Sequence, residues 1–220
     1  LFVMLLSLFC LLPLAISQSG VIISDPEAAT SISDKILAEH VPLAAGKCNI
    51  NLTATIPACV QQGPDWCWAT GITEWSYYYN VSNASQTCDS IECSVVSMDM
   101  HTQCCPYSAH KGCGVDGVPV KEIVSVANEF IKVHNFTSLG QPPTEEHLQQ
   151  LLMGGTPVMP IIQWQGGGGH ALFVAGCADA TFGSNYFLHD PLRKTWEQVS
   201  YMRLMAYQLF QPGKWVDTVL

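Results

Sequence analysis

The sequence of 220 residues predicts an α+β domain, with helices in its first part and an antiparallel sheet in its second. Apolar residues recur at helical spacing in three segments that end before Gly154 and Gly155, and short strand-like segments follow. Because the strands follow the helices rather than alternating with them, we expect them to pair antiparallel. The length suits one domain with a sizeable core.

The three helical segments are residues 67–79, 118–132 and a segment that begins after Thr144, a predicted N-cap. The first places large apolar side chains at spacings of four, three and four, which predicts one buried face. The second has Pro119 in its first turn, where proline is tolerated. The predicted inward-facing residues are Trp68, Ile72, Trp75 and Tyr79 in the first helix, Val120, Ile123, Val124, Ala127 and Ile131 in the second, and Leu148, Leu151 and Leu152 in the third.

Four strands are predicted after the helices, over residues 157–164, 170–177, 185–190 and 195–201. Four consecutive glycines, residues 166–169, separate the first strand from the second. Glycine lets another backbone or a substrate approach closely, so we expect the start of the second strand to be accessible.

Residues 1–17 form an apolar, uncharged run that ends in small residues, which is typical of a secretory signal peptide. We expect cleavage near Ser17 and a secreted or lumenal protein, with an uncleaved N-terminal anchor as the alternative. No later apolar run reaches the roughly 18 residues of a membrane span, so no stable membrane association is expected after cleavage. Residues 18–55 are assigned to an N-terminal extension or short propeptide, and residues 56–220 to the main domain.

The cysteine count points to one residue that stands apart from the others. Nine of the ten cysteines lie beyond the predicted signal peptide, and an odd number in a secreted chain indicates up to four disulfides and one free thiol. We assign the free thiol to Cys67 and leave the pairing of the others open. A zinc site in residues 88–113, which include His101 and His110, is the alternative, although no C-x-x-C pair occurs there. The remaining cysteines are Cys48, Cys59, Cys88, Cys93, Cys104, Cys105, Cys113 and Cys177.

Glycosylation sequons indicate the cellular compartment of the protein, and its net charge indicates which classes of partner it can bind. Asn51, Asn80, Asn83 and Asn135 each begin an Asn-x-Ser/Thr sequon, so we expect a glycoprotein. The net charge is −9, and no basic cluster occurs. Nucleic acid and anionic membranes are therefore excluded as favoured partners.

Cys67 follows the turn-forming residues Gly63, Pro64 and Asp65 and opens the first predicted helix. Unpaired N–H groups and the helix dipole at this position favour a thiolate, which is the nucleophilic form of cysteine. Gln61 precedes it by six residues, close enough for its side-chain amide to join the Cys67 N–H as a pair of oxyanion donors.

A base and an orienting group for this thiol are found in the predicted sheet. His170 opens a strand directly after the four glycines, and Asp190 closes the next strand. Neighbouring antiparallel strands can bring these two positions together. Side chains alternate along a strand, so if Asp190 faces His170 then His189 faces away, and we assign His170 as the base. Cys67, His170, Asp190 and Gln61 thus supply the groups needed for nucleophilic acyl transfer.

The chain resembles the papain-like cysteine peptidases in the Gln61-x5-Cys67-Trp68 segment, the Gly-Gly-His170-Ala-Leu strand and Asp190-Pro191. The resemblance covers residues 56–209 and is closest to the compact branch that contains bacteriocin-leader-type peptidases and papain-like bacterial effector proteases. It implies a helical half that carries the nucleophile, packed on an antiparallel sheet that carries the histidine.

The resemblance further implies that Cys67 is the nucleophile, His170 the base, Asp190 the orienting residue and Gln61 the oxyanion donor. Residues 64–66, Pro-Asp-Trp, differ from the Cys-Gly-Ser or Cys-Gly-Ala of papain and the cathepsins, and the third triad member is Asp rather than Asn.

The function that follows is a secreted cysteine peptidase, acting on protein or peptide substrates as a monomer without metal or organic cofactor. Two alternatives stay open: a papain-like acyltransferase, in which an amine or thiol replaces water, and a non-catalytic binding protein stabilised by disulfides.

Overall fold

A computed structural model describes residues 48–83, 85–106, 113, 117–181, 183–208 and 212–220. The predicted signal peptide and most of the predicted extension lie outside these residues, as does His110. Within the described part of the chain, no helix is both long and apolar enough to cross a membrane.

The domain contains five helices and seven strands among its described residues, and it confirms the predicted α+β class. The helices are α1 (Cys67–Tyr78), α2 (Cys88–Asp99), α3 (Val120–Ile131), α4 (Glu145–Met153) and α5 (Tyr201–Met205). The strands are β1 (Ile50–Asn51), β2 (Met159–Trp164), β3 (Gly169–Ala171), β4 (Phe173–Ala180), β5 (Gly183–His189), β6 (Trp196–Ser200) and β7 (Gly213–Val219).

The strands form two antiparallel sheets, one ordered β1-β4-β5-β6 and the other β3-β2-β7. One hydrophobic core joins α1, α2 and α3 to β3 and β4, and a second lies within the sheet half, under α4. A helical half thus packs on a sheet half, and α1 contacts the sheets through β3, Phe173 of β4 and His189 of β5.

Helix α1 is buried on all sides, which corrects the prediction of one buried face. Every residue from Cys67 to Ser76 is buried, including the polar side chains of Thr70, Thr73 and Glu74. The reason is that α2 and α3 cover the helix on one side, while β3 and parts of β4 and β5 cover it on the other. The spacing of large apolar side chains predicts only the face on which they lie, and it does not predict burial of the small and polar residues on the other faces.

The predicted strand over residues 170–177 is in fact two strands that belong to different sheets. The chain leaves β3 at Leu172 and enters β4 at Phe173. In β3, His170 pairs with Ile162 of β2, whereas in β4 Phe173 pairs with His189 of β5. The β3-β2-β7 sheet therefore carries the histidine, and the β1-β4-β5-β6 sheet carries the strand that leads to Asp190.

Sequence periodicity missed four elements, namely α2, α5, β1 and β7. Helix α2 lies in the cysteine-rich stretch, which was interpreted by its cysteines alone. The helix begins with a capping box between Thr87 and Ser90. Strand β7 pairs with β2 along its whole length and buries Trp215. The two-residue β1 is too short to leave a pattern.

Eight cysteines form four disulfides, as the count predicted: Cys48–Cys177, Cys59–Cys88, Cys93–Cys105 and Cys104–Cys113. The five cysteines of residues 88–113 are thereby engaged as disulfides rather than as zinc ligands. Cys48 is bonded to β4, and β1 pairs with β4, so residues 48–55 are part of the domain. The domain therefore begins earlier than residue 56.

Candidate active site

Cys67 is the first residue of α1 and the free cysteine of the described chain. Asp65 has a φ of 65°, so the chain turns sharply just before the helix. The indole Nε1 of the buried Trp66 donates to the carbonyl oxygen of Cys113 at 2.8 Å and anchors this turn. The thiol is 8% exposed, at the N-terminus of a helix whose first N–H groups have no partner within the helix.

Strand β3 supplies two groups near the sulfur. The Ala171 N–H donates to Cys67 Sγ at 3.3 Å, and the adjacent residue His170 has its side chain near enough to Cys67 for the thiol to affect its pKa. Strand β3 therefore brings a main-chain donor and an imidazole to the sulfur.

His170 and Asp190 are in direct contact. The distance between His170 Nε2 and Asp190 Oδ1 is 2.8 Å, and the two side chains are 6% and 1% exposed. Nε2 is engaged by Asp190, so the other ring nitrogen, Nδ1, is the one left for Cys67.

The electrostatics of this contact favour a charged imidazole. Burial opposes the charge on His170, but hydrogen bonds with Asp190 and Cys67 and their Coulombic attraction outweigh it and raise its pKa to about 9. Burial likewise works against ionisation of Asp190, yet the His170 hydrogen bond and charge lower its pKa to about 2.

The turn that follows β5 holds Asp190 in place. The pairing of Phe173 with His189 brings the end of β5 beside the start of β4, three residues after His170. The Leu192 N–H donates to Asp190 Oδ1 at 3.0 Å, and the Arg193 N–H donates to the Asp190 carbonyl oxygen at 2.8 Å. Oδ2 accepts from the Tyr207 hydroxyl at 2.7 Å.

Gln61 lies on a half-buried segment beside this turn. Its main-chain N–H donates to the Pro191 carbonyl oxygen at 3.0 Å, one residue after Asp190. Its side-chain Nε2 donates to the Gly63 carbonyl oxygen at 3.0 Å, which uses one of its two N–H bonds. Gln61 Oε1 is buried and has no hydrogen-bond partner among the described residues.

The four residues selected from the sequence therefore meet in one region where the helical half faces the sheets. Sequence reasoning missed Trp164, whose ring stacks on His170 with centroids 5.9 Å apart, and Tyr207. It also missed Glu74. The signal was a carboxyl group in the middle of an apolar helix, because a buried carboxyl group needs a partner. No local signal marks Trp164 or Tyr207.

Among the described residues, no group of three or more His, Cys, Asp or Glu side chains is arranged to hold a metal ion. The groups that converge are instead a thiol, an imidazole, a carboxylate and amide donors. These are the components of acyl transfer through a thioester.

Comparison with known proteins agrees with this chemistry. A family model described as papain-like cysteine protease AvrRpt2 matches residues 50–208, which is most of the chain and includes all four residues selected above. A comparison with curated proteins finds no match. The resemblance to papain-like bacterial effector proteases is confirmed by the family match. The chain belongs to the papain-like cysteine proteases of the AvrRpt2 family, which are cysteine-type peptidases.

Proposed function

We propose that this protein hydrolyses peptide bonds through a Cys67–His170–Asp190 triad, with Gln61 as an oxyanion donor. Two contacts carry the proposal: His170 Nε2 lies 2.8 Å from Asp190 Oδ1, and the N–H of the next residue, Ala171, donates to Cys67 Sγ, which brings the imidazole–carboxylate pair to the thiol. Membership of a protease family supports protein or peptide substrates.

In the acylation step, the Cys67 thiolate attacks the carbonyl carbon of the substrate and a tetrahedral oxyanion forms. The Cys67 N–H and the second N–H of Gln61 Nε2 stabilise the oxyanion. The His170 imidazolium then gives its Nδ1 proton to the leaving amine, and the C–N bond breaks to leave a thioester on Sγ.

In the deacylation step, neutral His170 takes a proton from a water molecule as it attacks the thioester carbon. The C–S bond breaks, the carboxylic acid product leaves, and the thiolate–imidazolium pair is restored. Asp190 keeps Nε2 protonated and holds the ring plane throughout, as in other triads.

We further propose that the protein matures in the secretory pathway. Four disulfides form and persist in oxidising compartments. The side chains of all four sequon asparagines, Asn51, Asn80, Asn83 and Asn135, are exposed and accessible to glycosylation. A mass decrease after enzymatic removal of N-linked glycans from the secreted protein is expected. An unchanged mass would contradict the glycoprotein assignment.

The function is tested by comparing peptide hydrolysis by the wild-type protein and by Cys67→Ala. We expect the variant to lose activity by a factor of about 10³ or more, because removal of a nucleophile leaves only binding and oxyanion contributions. Iodoacetamide should add one carboxamidomethyl group to the wild-type protein and none to the variant, since the other described cysteines are in disulfides.

Two outcomes would favour other functions. A transfer product that appears when an amine acceptor is added, at the expense of hydrolysis, would indicate an acyltransferase. Equal hydrolysis by wild type and Cys67→Ala, together with no labelling of Cys67, would remove the thiol from any mechanism and favour a binding protein.

A further inference from the structure

A second histidine–carboxyl pair lies inside the domain, apart from the proposed triad. Glu74 of α1 and His189 of β5 are both completely buried, and Nδ1 of His189 lies 2.5 Å from Oε1 of Glu74. Burying such a pair costs several kcal/mol of desolvation in general, and apolar side chains of similar size often stabilise a core better. The pair is therefore a poor choice for stability alone.

Glu74 is bound to the segment that carries Gln61. Its Oε1 also accepts the Cys59 N–H at 3.1 Å, two residues before Gln61. On the other side of Gln61, the Gln62 N–H donates to Oε1 of Glu92, a buried residue of α2, at 3.0 Å. Two buried carboxyls thus bind the main chain on either side of Gln61.

His189 is bound to the turn that carries Asp190. Its Nε2 lies 2.9 Å from the carbonyl oxygen of Arg193, which closes residues 189–193 into a tight turn around Asp190. Since a carbonyl oxygen only accepts, Nε2 carries a proton. Burial raises the pKa of Glu74, and the charge of Glu74 raises the pKa of His189 against the effect of burial, so each group favours keeping a proton beside the other.

Glu74 also has a defined relation to the nucleophile. It follows Cys67 by seven residues, which is about two helical turns or roughly 10 Å along α1, and places both side chains on nearly the same face. One carboxyl group on α1 therefore contacts both the main chain near Gln61 and the residue before Asp190.

We propose that Glu74 and His189 form a positioning pair that sets the Gln61 segment and the Asp190 turn relative to Cys67. Neither side chain touches the reacting atoms. The Gln61 N–H to Pro191 carbonyl hydrogen bond closes the loop between the two segments that the pair holds. Hydrogen bonds have a preferred direction, so those of Glu74 and His189 fix how the two main-chain segments are oriented. This inference rests on the function proposed above.

The test compares Glu74→Gln and His189→Gln with Asp217→Asn. Glu74→Gln keeps an oxygen that can accept from the Cys59 N–H but removes the carboxyl group that pairs with His189. Asp217 is a matched control because it is a buried carboxyl that binds Ser138 and the Thr218 N–H, with no bond to the proposed site. The measurements are kcat, KM, the melting temperature and the rate at which iodoacetamide alkylates Cys67.

We expect Glu74→Gln and His189→Gln each to lower kcat about tenfold or more, since small misplacements of catalytic groups have large effects on rate. KM should stay within about twofold, because the substrate-binding surface is not altered. The double variant should lose little more than either single variant if the two act as one unit. Asp217→Asn should lower the melting temperature and leave kcat within about twofold.

The inference is overturned if kcat in Glu74→Gln and His189→Gln falls only in proportion to the fraction of unfolded protein. The proposed function would then remain intact. If wild type hydrolyses no more peptide than Cys67→Ala, the proposed function fails instead. The alkylation rate then decides the inference: slower alkylation in both variants but not in Asp217→Asn supports the pair, and equal rates overturn it.

Discussion

The hydroxyl of Tyr207 donates to Oδ2 of Asp190 at 2.7 Å, while His170 occupies Oδ1 of the same carboxylate. Tyr207 is 2% exposed and lies after α5, seventeen residues beyond Asp190. The carboxylate is therefore held from both oxygens, which limits its rotation and directs one lone pair at the imidazole.

Replacing Tyr207 with Phe removes only the hydroxyl. We expect kcat/KM to fall about threefold to tenfold, as for loss of one hydrogen bond to a charged group. Tyr201→Phe is the matched control, because its hydroxyl donates to the Pro143 carbonyl oxygen at 2.6 Å, outside the site. Equal kcat/KM in Tyr207→Phe and wild type would show that the turn alone holds Asp190.

The adjacent residues Gln61 and Gln62 allow the effect of a proposed oxyanion donor on kcat to be compared with that of a neighbouring side chain. Gln61→Ala removes a proposed oxyanion donor, and such removals lower kcat by about 10²–10³. Gln62→Ala keeps the main-chain N–H that donates to Glu92 and removes a side chain whose Nε2 donates to the Val60 carbonyl oxygen. We expect the Gln62 variant to hydrolyse peptide at nearly the wild-type rate; similar losses in both would indicate a structural role for the whole segment.

The charge of Asp190 should be visible in the dependence of activity on pH. The pKa of His170 is raised to about 9 because hydrogen bonds and charge from Asp190 and Cys67 overcome the effect of burial. Asp190→Asn removes that charge but keeps an oxygen acceptor, so the pKa of His170 should fall.

The imidazolium would then be lost at lower pH, and the alkaline limb of kcat/KM should move to lower pH in Asp190→Asn. The exposed Asp179, near the far end of β4, provides the charge-matched control Asp179→Asn, which should leave the limb unchanged. A limb that does not move in Asp190→Asn would mean that another group sets it.

Glu92 should make stability depend on pH. Burial raises its pKa from 4.5 to about 8, so the folded protein retains a proton that the unfolded chain has released between these values. The folded state binds more protons in this window, and the free energy of unfolding contributed by Glu92 therefore falls as pH rises through it.

Glu92→Gln cannot ionise, so its free energy of unfolding relative to wild type should increase from pH 5 to pH 8. Urea unfolding at the two pH values measures this difference, with Glu129→Gln on the exposed side of α3 as the control. A constant difference between Glu92→Gln and wild type would contradict ionisation of Glu92 in this range.

The local sequence pattern predicted the structure correctly where the interactions that cause it lie within a few residues of each other. Thr144 was predicted as an N-cap, and its hydroxyl accepts the His147 N–H at 3.2 Å at the start of α4. Strand alternation separated Asp190 from His189, and the two side chains do contact different partners, His170 and Glu74. The odd cysteine count predicted one free thiol, which was assigned to Cys67 from its place at a predicted helix start, and every other cysteine beyond the predicted signal peptide is in a disulfide.

By itself, the sequence determined the α+β class, the helix that begins at Cys67 and the presence of the residue types that acyl transfer needs. The periodicity of apolar side chains and the chemistry of each residue type carry that information. Only the tertiary structure decided that residues 170–177 divide between two sheets, that Tyr207 reaches Asp190, and that Glu74 meets His189. These contacts join residues far apart in the chain, and packing of the whole core selects them, so no short stretch of sequence records them.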